Sequence, residues 1–341
     1  MGLGVLQMRF SKLFAGVAGC LMVFKMTLAA SAATNLALPE MLALDSYGMD
    51  KSASIIIDPA SFREPDEGAL SYALRRIDTP NLGPYSFNTF LDQSSTVWLD
   101  LAGIMAVTTY FGTSSDGYGS VPFHFSNEGF FGPDTYALGM DKLGHAYATY
   151  LYTEYLTQRI GHSSDNLDGA ALTAAILAFG IQTGVEVYDG YSTDFGFSTE
   201  DLVADAVGAG FSVLRSTVPG LAKKLDYRME YLPSNWNEFS PFNDYNNQKY
   251  VLALKLSGFE ELENTPLRFV ELQAGYFARG ATKEERDAGM ERRREPYFAI
   301  ALNLQEIIDG VGLGHSVPGQ LAKRSLEYVQ LPYTYAATVQ K

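Results

Sequence analysis

The chain has 341 residues, of which 47% are hydrophobic and 19% charged, so it can fill a core and is not disordered overall. Its formal net charge of −14 disfavours binding to nucleic acid and to anionic lipid headgroups. The same charge is compatible with binding of a divalent cation, or it serves only to keep the protein soluble. The single cysteine, Cys20, excludes a disulfide or a cysteine-ligated metal within the chain, so we expect neither a nucleic-acid partner nor a disulfide-linked one.

Residues 1–32 have the pattern of a secretory signal peptide. A basic region with Arg9 and Lys12 precedes an apolar stretch and a small-residue cleavage site that ends at Ala32. The Val-Ala-Gly before Cys20 also fits the pattern of a lipid-modified bacterial cysteine. Lipidation and ordinary cleavage both remain open, and both predict export.

The rest of the chain divides into three segments. Residues 33–94 contain scattered prolines and are predicted to be irregular, and residues 95–232 are predicted to be a helical bundle domain. Its helices are expected at about 95–112, 140–160, 167–188 and 198–215. Two of them approach the length that crosses a bilayer, but buried helices of a soluble bundle look the same, and we favour the bundle.

Residues 233–341 are predicted to be an antiparallel β region packed on the bundle. Apolar and polar residues alternate with period two, and aromatic residues are frequent. The expected strands are 250–256, 267–277, 297–304 and 326–335. The predicted fold class is therefore α+β, with an antiparallel helical bundle followed by a C-terminal antiparallel sheet of about four strands.

Three pairs of acidic or histidine residues lie three or four positions apart, so each pair shares a helix face. The connections between these helices are short, which predicts antiparallel neighbours. The start of the first helix, the end of the second and the start of the third then meet at one end of the bundle. The pairs are Asp141 with His145, Glu186 with Asp189, and Asp201 with Asp205.

Local helix rules explain only part of this cluster. Asp141 and Asp201 lie in first turns, where a carboxylate stabilises the positive end of the helix dipole. Asp201 also forms a capping-box pattern with Ser198. The residues that such rules leave unexplained are His145, Glu186, Asp189 and Asp205.

Three interpretations of the cluster remain open: a structural network of hydrogen bonds and salt bridges, a divalent-metal site, or an acid–base centre. The candidate metal ligands are His145, Glu186, Asp189 and Asp205, with Asp141 and Asp201 secondary. The candidate catalytic residues are His145, Glu186 and Asp189. The sequence contains neither a nucleophile-elbow serine nor a zincin motif, so no motif identifies a reaction. The one cofactor that the cluster suggests is a divalent metal ion.

Four ordered motifs resemble a bacterial domain-of-unknown-function family of YfiM-like proteins, which are predicted periplasmic lipoproteins. The motifs are residues 123–130, 139–147, 186–190 and 196–208, and the resemblance covers roughly residues 95–245. A fainter similarity is to the VanZ-like membrane family, although the glutamine and arginine that follow the glutamate in that family are missing. The resemblance implies an envelope location and marks the cluster as the family's defining site, and it implies no reaction.

The sequence therefore predicts an exported envelope protein of a Gram-negative bacterium, in the periplasm or on the periplasmic face of the outer membrane. The expected partners are envelope components or the outer membrane itself. The leading hypothesis is a non-enzymatic component whose cluster organises the bundle or holds a divalent cation. The alternative is a metal-dependent hydrolase or transferase that acts on an envelope lipid or glycan.

Overall fold

The structure is a computed structural model, and it describes residues 71, 74–112, 119, 121–233, 239–241 and 244–338. Side chains are not described at 110–112 and 283–284. The predicted signal peptide, the Cys20 motif and most of the predicted irregular segment lie outside the described residues.

Helices dominate the first half of the described chain. They are α1 (Phe87–Thr96), α2 (Trp98–Gly112), α3 (Met140–Ser163), α4 (Ala170–Asp189), α5 (Thr199–Thr217), α6 (Leu221–Lys224), α7 (Lys283–Asp287), α8 (Leu304–Gly310) and α9 (Val317–Leu326). Helix α1 lies within the segment that the sequence predicts to be irregular. It forms because the Ser86 hydroxyl caps it, accepting a hydrogen bond from the Thr89 backbone N–H at 3.1 Å.

Helix α3 is the central element of the bundle, because α4 and α5 pack on it and on each other. One side of α3 carries Leu156 and Ile160, which are fully buried against Ala174 and Ala178 of α4. Helix α2 closes this apolar cluster with Ile104. The three predicted helices that carry the polar pairs are therefore neighbours, as the short connections indicate.

The strands form two sheets. They are β1 (Phe125–Ser126), β2 (Phe197–Ser198), β3 (Leu225–Tyr231), β4 (Gln248–Lys255), β5 (Val270–Arg279), β6 (Arg293–Leu302) and β7 (Tyr335–Ala337). Strands β1 and β2 pair in parallel, and the other five form an antiparallel sheet in the order β3-β4-β5-β6-β7. The predicted α+β class is confirmed, with five strands where the sequence predicts about four.

The C-terminal segment 328–337 touches both edges of this sheet. Val329 forms a parallel bridge with Met229 of β3, and the Met229 N–H donates to the Tyr328 carbonyl at 2.9 Å. A few residues later, β7 pairs with β6 at the opposite edge. The sheet therefore closes on itself through this one segment.

Tyrosines join the sheet to the bundle. Tyr147 of α3 packs against Tyr227 and Tyr250, and Tyr150 packs against Tyr227, at ring-centroid distances of 5.5 to 5.8 Å. The Tyr227 hydroxyl donates to the Leu143 carbonyl at 3.0 Å. This contact fixes the start of α3, which carries two of the predicted site residues, relative to the sheet.

A buried charge network lies beside the tyrosines. The fully buried Arg215 guanidinium of α5 contacts the carboxylates of Glu154 (2.8 Å), Asp226 (2.8 Å) and Glu327 (2.9 Å). These partners belong to α3, to β3 and to the segment after α9. One side chain thus ties the bundle to both ends of the sheet region.

Candidate metal centre

The start of α3, the end of α4 and the start of α5 meet at one end of the bundle, as the sequence predicts. They bring together five of the six predicted side chains: Asp141, His145, Glu186, Asp201 and Asp205. The four carboxylates are 7% exposed or less, whereas the His145 side chain is 18% exposed. His145 is therefore the one member of the group that solvent reaches appreciably.

A left-handed turn places the first residues of α3. Ala137, Leu138 and Gly139 have φ values of 48°, 55° and 87°, and Gly139 is the N-cap. A Cβ at Gly139 would overlap the Phe131 ring. Non-glycine residues rarely adopt such angles, and strain of this kind concentrates at functional sites. Here the turn delivers Asp141 directly into the cluster.

The Nδ1 side of His145 faces Glu186 and Asp205. Its Nδ1 lies 3.6 Å from Glu186 Oε1 and 3.4 Å from Asp205 Oδ1. Bonds of ~2.1 Å to a tetrahedral metal separate neighbouring ligand atoms by ~3.4 Å. The two distances from Nδ1 are therefore close to those between ligands of one metal ion, and all three ligand atoms lie within 4.8 Å of one another.

Three buried atoms of this triad have no hydrogen-bond partner: His145 Nδ1, Glu186 Oε1 and Asp205 Oδ2. The remaining carboxylate oxygens are anchored. Glu186 Oε2 accepts the Ser198 N–H at 3.1 Å, and Asp205 Oδ1 accepts the Thr149 hydroxyl at 2.7 Å. Unpaired buried polar atoms are costly and uncommon. Two of them, His145 Nδ1 and Glu186 Oε1, face each other at 3.6 Å, whereas Asp205 approaches Nδ1 through its other oxygen, Oδ1.

The Nε2 side of His145 faces a second pair of carboxylates, which already has a cation. Nε2 lies 3.9 Å from both Asp141 Oδ1 and Asp201 Oδ1. The Lys142 ammonium lies 2.8 Å from Asp141 and 2.7 Å from Asp201, and it donates to Glu128 at 2.5 Å. Lys142 therefore neutralises this half of the cluster.

Asp201 reaches Lys142 because it is released from its capping role. The Ser198 hydroxyl caps α5 by accepting the Asp201 N–H at 3.2 Å, as the sequence predicts. In a full capping box the carboxylate would accept the N–H of the cap residue in return. Glu186 takes that N–H instead, so the Asp201 carboxylate is free to pair with Lys142.

The charges shift the pKa values of these groups in both directions. Burial raises the pKa of Glu186 to about 9. Burial alone would lower the pKa of His145, but the carboxylates of Asp205, Asp201 and Asp141 raise it well above its ordinary value. Burial also works to raise the pKa of Asp141, yet His145 and Lys142 hold it well below its usual range. Without a metal, the raised pKa of His145 favours the protonated imidazole, and the raised pKa of Glu186 favours its uncharged carboxyl.

Asp189 lies outside the converging atoms. It is half-buried at the end of α4, and its charge helps to raise the pKa of Glu186. Neither group of ligand-forming atoms in the described residues includes it. The structure thus brings five predicted residues together and leaves the sixth at the margin.

Sequence reasoning missed two partners of the cluster, Glu128 and Tyr245. The Tyr245 hydroxyl, just before β4, donates to Asp141 Oδ1 at 2.7 Å. Both residues come from outside the three helices, so no helical spacing reveals them. The only signal was their position inside, or next to, the motifs that carry the family resemblance.

Comparison with known proteins gives one match. Residues 127–217 match the family model described as "Predicted periplasmic lipoprotein (DUF2279)". No curated protein and no solved structure matches the chain. The matched segment runs from the loop that holds Glu128 to the end of α5, so it contains every charged member of the cluster. The resemblance to a predicted periplasmic lipoprotein family and the predicted exported, periplasmic location are confirmed, while the closer likeness to YfiM and the fainter one to VanZ stay predictions.

Proposed function

We propose that this chain is a periplasmic envelope protein that holds one divalent cation between His145, Glu186 and Asp205. One observation carries the proposal: His145, Glu186 and Asp205, from three helices, each bring a ligand atom within 4.8 Å of the other two. Among the described residues, His145 Nδ1 and Glu186 Oε1 are buried there without a hydrogen-bond partner. A cation between the three residues would satisfy both atoms at once. A purely structural network would instead be expected to pair them with one another or with neighbouring donors.

The ligand chemistry favours a first-row transition metal. One imidazole and two carboxylates suit Zn²⁺, Mn²⁺ or Fe²⁺ better than Ca²⁺, which prefers six or more oxygens. A histidine ligand commonly donates its other ring N–H to a carboxylate, which fixes its orientation. Asp141 and Asp201 lie on that side of His145 and would serve this role.

Metal analysis tests the proposal directly. Purified protein is equilibrated with Zn²⁺ or Mn²⁺, dialysed and measured by elemental analysis, with folding followed by circular dichroism. We expect about one metal per chain in the wild type and less than a tenth of that in His145→Ala and Asp205→Asn. His315→Ala, which changes an exposed histidine elsewhere, is the matched control and should retain the metal. A folded wild type without stoichiometric metal would rule the proposal out.

A second candidate function is metal-dependent hydrolysis or group transfer on an envelope lipid or glycan. The observation that favours it is the 18% exposure of the His145 side chain beside carboxylates that are sealed from solvent. Three protein ligands leave a fourth position for water, which a bound metal activates.

Glu186→Gln separates this second function from a structural role. If the cluster is catalytic, the variant should keep the melting temperature within a few degrees and fail to complement a deletion strain. If the variant unfolds the protein, the carboxyl is needed for the fold and the catalytic candidate loses its support.

A further inference from the structure

The helical bundle buries a row of polar side chains beside its apolar core and exposes large apolar ones. The central helix α3 buries many polar side chains, among them Thr149, Thr153, Glu154 and Thr157, each 1% exposed or less. The threonine hydroxyls donate to the backbone carbonyls four residues earlier. The polar groups of the bundle are thus satisfied inside it.

Apolar side chains occupy the outside of the bundle. Helices α2, α4 and α5 are neighbours around α3, and their outward sides carry large exposed residues. These form the apolar helix face: Trp98 (63% exposed), Met105 (57%), Ile176 (45%), Val187 (44%), Val207 (63%) and Leu214 (54%).

No charged side chain interrupts the apolar helix face, and its few exposed polar groups belong to Trp98, Thr109 and Tyr188. Within the described side chains of 98–109, 176–188 and 203–214, no exposed residue is charged. The exposed residues between the large ones include Gly180, Gly184 and Gly210, which have open space around them. Protein interfaces usually make about ten direct hydrogen bonds, and this surface offers almost no side-chain group for them.

We propose that the apolar helix face lies against the hydrocarbon of a lipid bilayer, with α4 in the middle. Helix α4 has 20 residues and a mean hydropathy of 1.5, and it is the one described helix long and apolar enough to cross a membrane by length and composition. We infer contact along the bilayer surface rather than a crossing, because α4 is packed on the polar helix α3 and 44% of its apolar window is buried in the protein. Hydrocarbon requires neither the charges nor the hydrogen bonds that this face lacks.

The charge of the chain specifies the lipid. A protein with a formal net charge of −14 is repelled by anionic headgroups, so the binding must come from apolar area. Vesicles of zwitterionic phosphatidylcholine should therefore bind it, and binding should be nearly independent of salt. This inference does not rest on the proposed metal site.

Fluorescence of Trp98 is the test, since this residue lies on the apolar helix face and Trp236 is the only other tryptophan. Full chain carrying Trp236→Phe and Cys20→Ala is mixed with phosphatidylcholine vesicles whose acyl chains are brominated. The Cys20 change removes the one cysteine that could carry a lipid. We expect a blue shift of Trp98 emission and quenching by at least half.

Two further variants in the same background control for non-specific effects. Val207→Glu places a charge on the apolar helix face and should lower the vesicle partition coefficient at least tenfold. Val311→Glu makes the same change at a residue of matching exposure, 64%, beyond the end of α8, and should leave the partition coefficient unchanged.

Three outcomes would overturn the proposal. Vesicle flotation with unchanged Trp98 emission would mean attachment through another part of the chain. Binding that requires anionic lipid would mean an electrostatic contact. A dimer in solution that Val207→Glu dissociates would show that a second copy of the chain covers the face.

Discussion

At His145, the two ring nitrogens face two carboxylate pairs that differ in one respect. Lys142 already supplies a positive charge to Asp141 and Asp201, whereas no side chain supplies one to Glu186 and Asp205 except the imidazole itself. The asymmetry follows from sequence, because Lys142 is next to Asp141 on the first turn of α3. For this reason the proposed cation is assigned to the Glu186 and Asp205 side of the imidazole.

The stability of the metal-free protein should fall as pH rises from 4.5 to about 9. The pKa of Glu186 is raised to about 9 in the folded chain from an ordinary 4.5, so the folded state holds a proton that the unfolded state has lost. This stabilisation is fully present below the unfolded pKa and disappears as pH passes the folded one. Urea unfolding in the presence of a chelator measures it, and Glu186→Gln should flatten the dependence. An equally steep slope in the variant would assign the effect to other groups.

Metal affinity should follow pH in the opposite sense. A cation must displace the protons that the raised pKa values of His145 and Glu186 favour, so its dissociation constant should decrease as pH rises toward 9. Isothermal titration in buffers of different ionisation enthalpy would also count the released protons. Binding that is independent of pH, with no proton release, would place the cation on other ligands.

The sequence identifies the triad residues because each lies on a strongly periodic helix. Spacing puts His145 four residues after Asp141, and Asp205 one turn inside an apolar helix. The spacing does not reveal which carboxylate oxygens already accept hydrogen bonds or form ion pairs. That depends on Ser198, Thr149 and Lys142, whose contacts exist only once the helices have packed.

At the scale of the element, α3, α4 and α5 lie within three residues of their predicted bounds. The predicted strand 326–335 is wrong over most of its length, because α9 ends at Leu326 and β7 begins only at Tyr335. Among the elements that the sequence does not predict, α1 and β3 are the most instructive. Helix α1 is short and follows a proline-rich stretch, and its cap at Ser86 is the only strong signal. Strand β3 was overlooked because it directly follows the helical region. Its alternation, with Tyr227 and Met229 on one face and Asp226 and Arg228 on the other, is as regular as that of β4.

The close approach of α3 and α5 depends on Gly208. A Cβ at this position would overlap the carbonyl oxygen of Ala146, the neighbour of His145. Gly208→Ala should therefore destabilise the protein by about 1–3 kcal/mol and weaken metal binding, because the helices must separate. Gly210→Ala is the matched control in the same helix. A Cβ there meets open space and should be neutral or stabilise by up to ~1 kcal/mol.

Thermal unfolding and metal titration of both variants check this prediction. Equal stability of the two variants would mean that the helices can move apart at little cost. Loss of metal binding in Gly210→Ala would show that the site does not depend on this contact.

At the scale of the whole molecule, the fold class follows from the order of helical and alternating segments. The way in which the bundle joins the sheet does not follow from that order, because it depends on buried charges. Sequence alone gives no reason to bury Arg215 at the end of α5. Its carboxylate partners lie 61, 11 and 112 residues away in the chain. Such pairs form only when all the elements are in place.

Arg215→Met should be destabilising by about 1.5–3 kcal/mol, since Glu154 and Asp226 lose the cation that they share. Each carboxylate keeps another cation, Arg76 at Glu154 and Lys255 at Asp226. Lys323→Met is the control, because its ion pair with Asp309 is about one-third exposed and should contribute less than ~1 kcal/mol. Chemical denaturation of both variants gives the comparison. Similar losses in the two variants would show that the buried network is not what joins bundle and sheet.

The closure of the sheet by segment 328–337 has a consequence for biogenesis. These residues are synthesised, and cross a membrane during export, after every other described strand and helix. Until they arrive, β3 and β6 each present an unpaired edge to other nascent chains. Truncation before residue 328 would leave both edges open together, and such a product should aggregate in the periplasm or be degraded there. Completion of the fold thus depends on delivery of the entire chain.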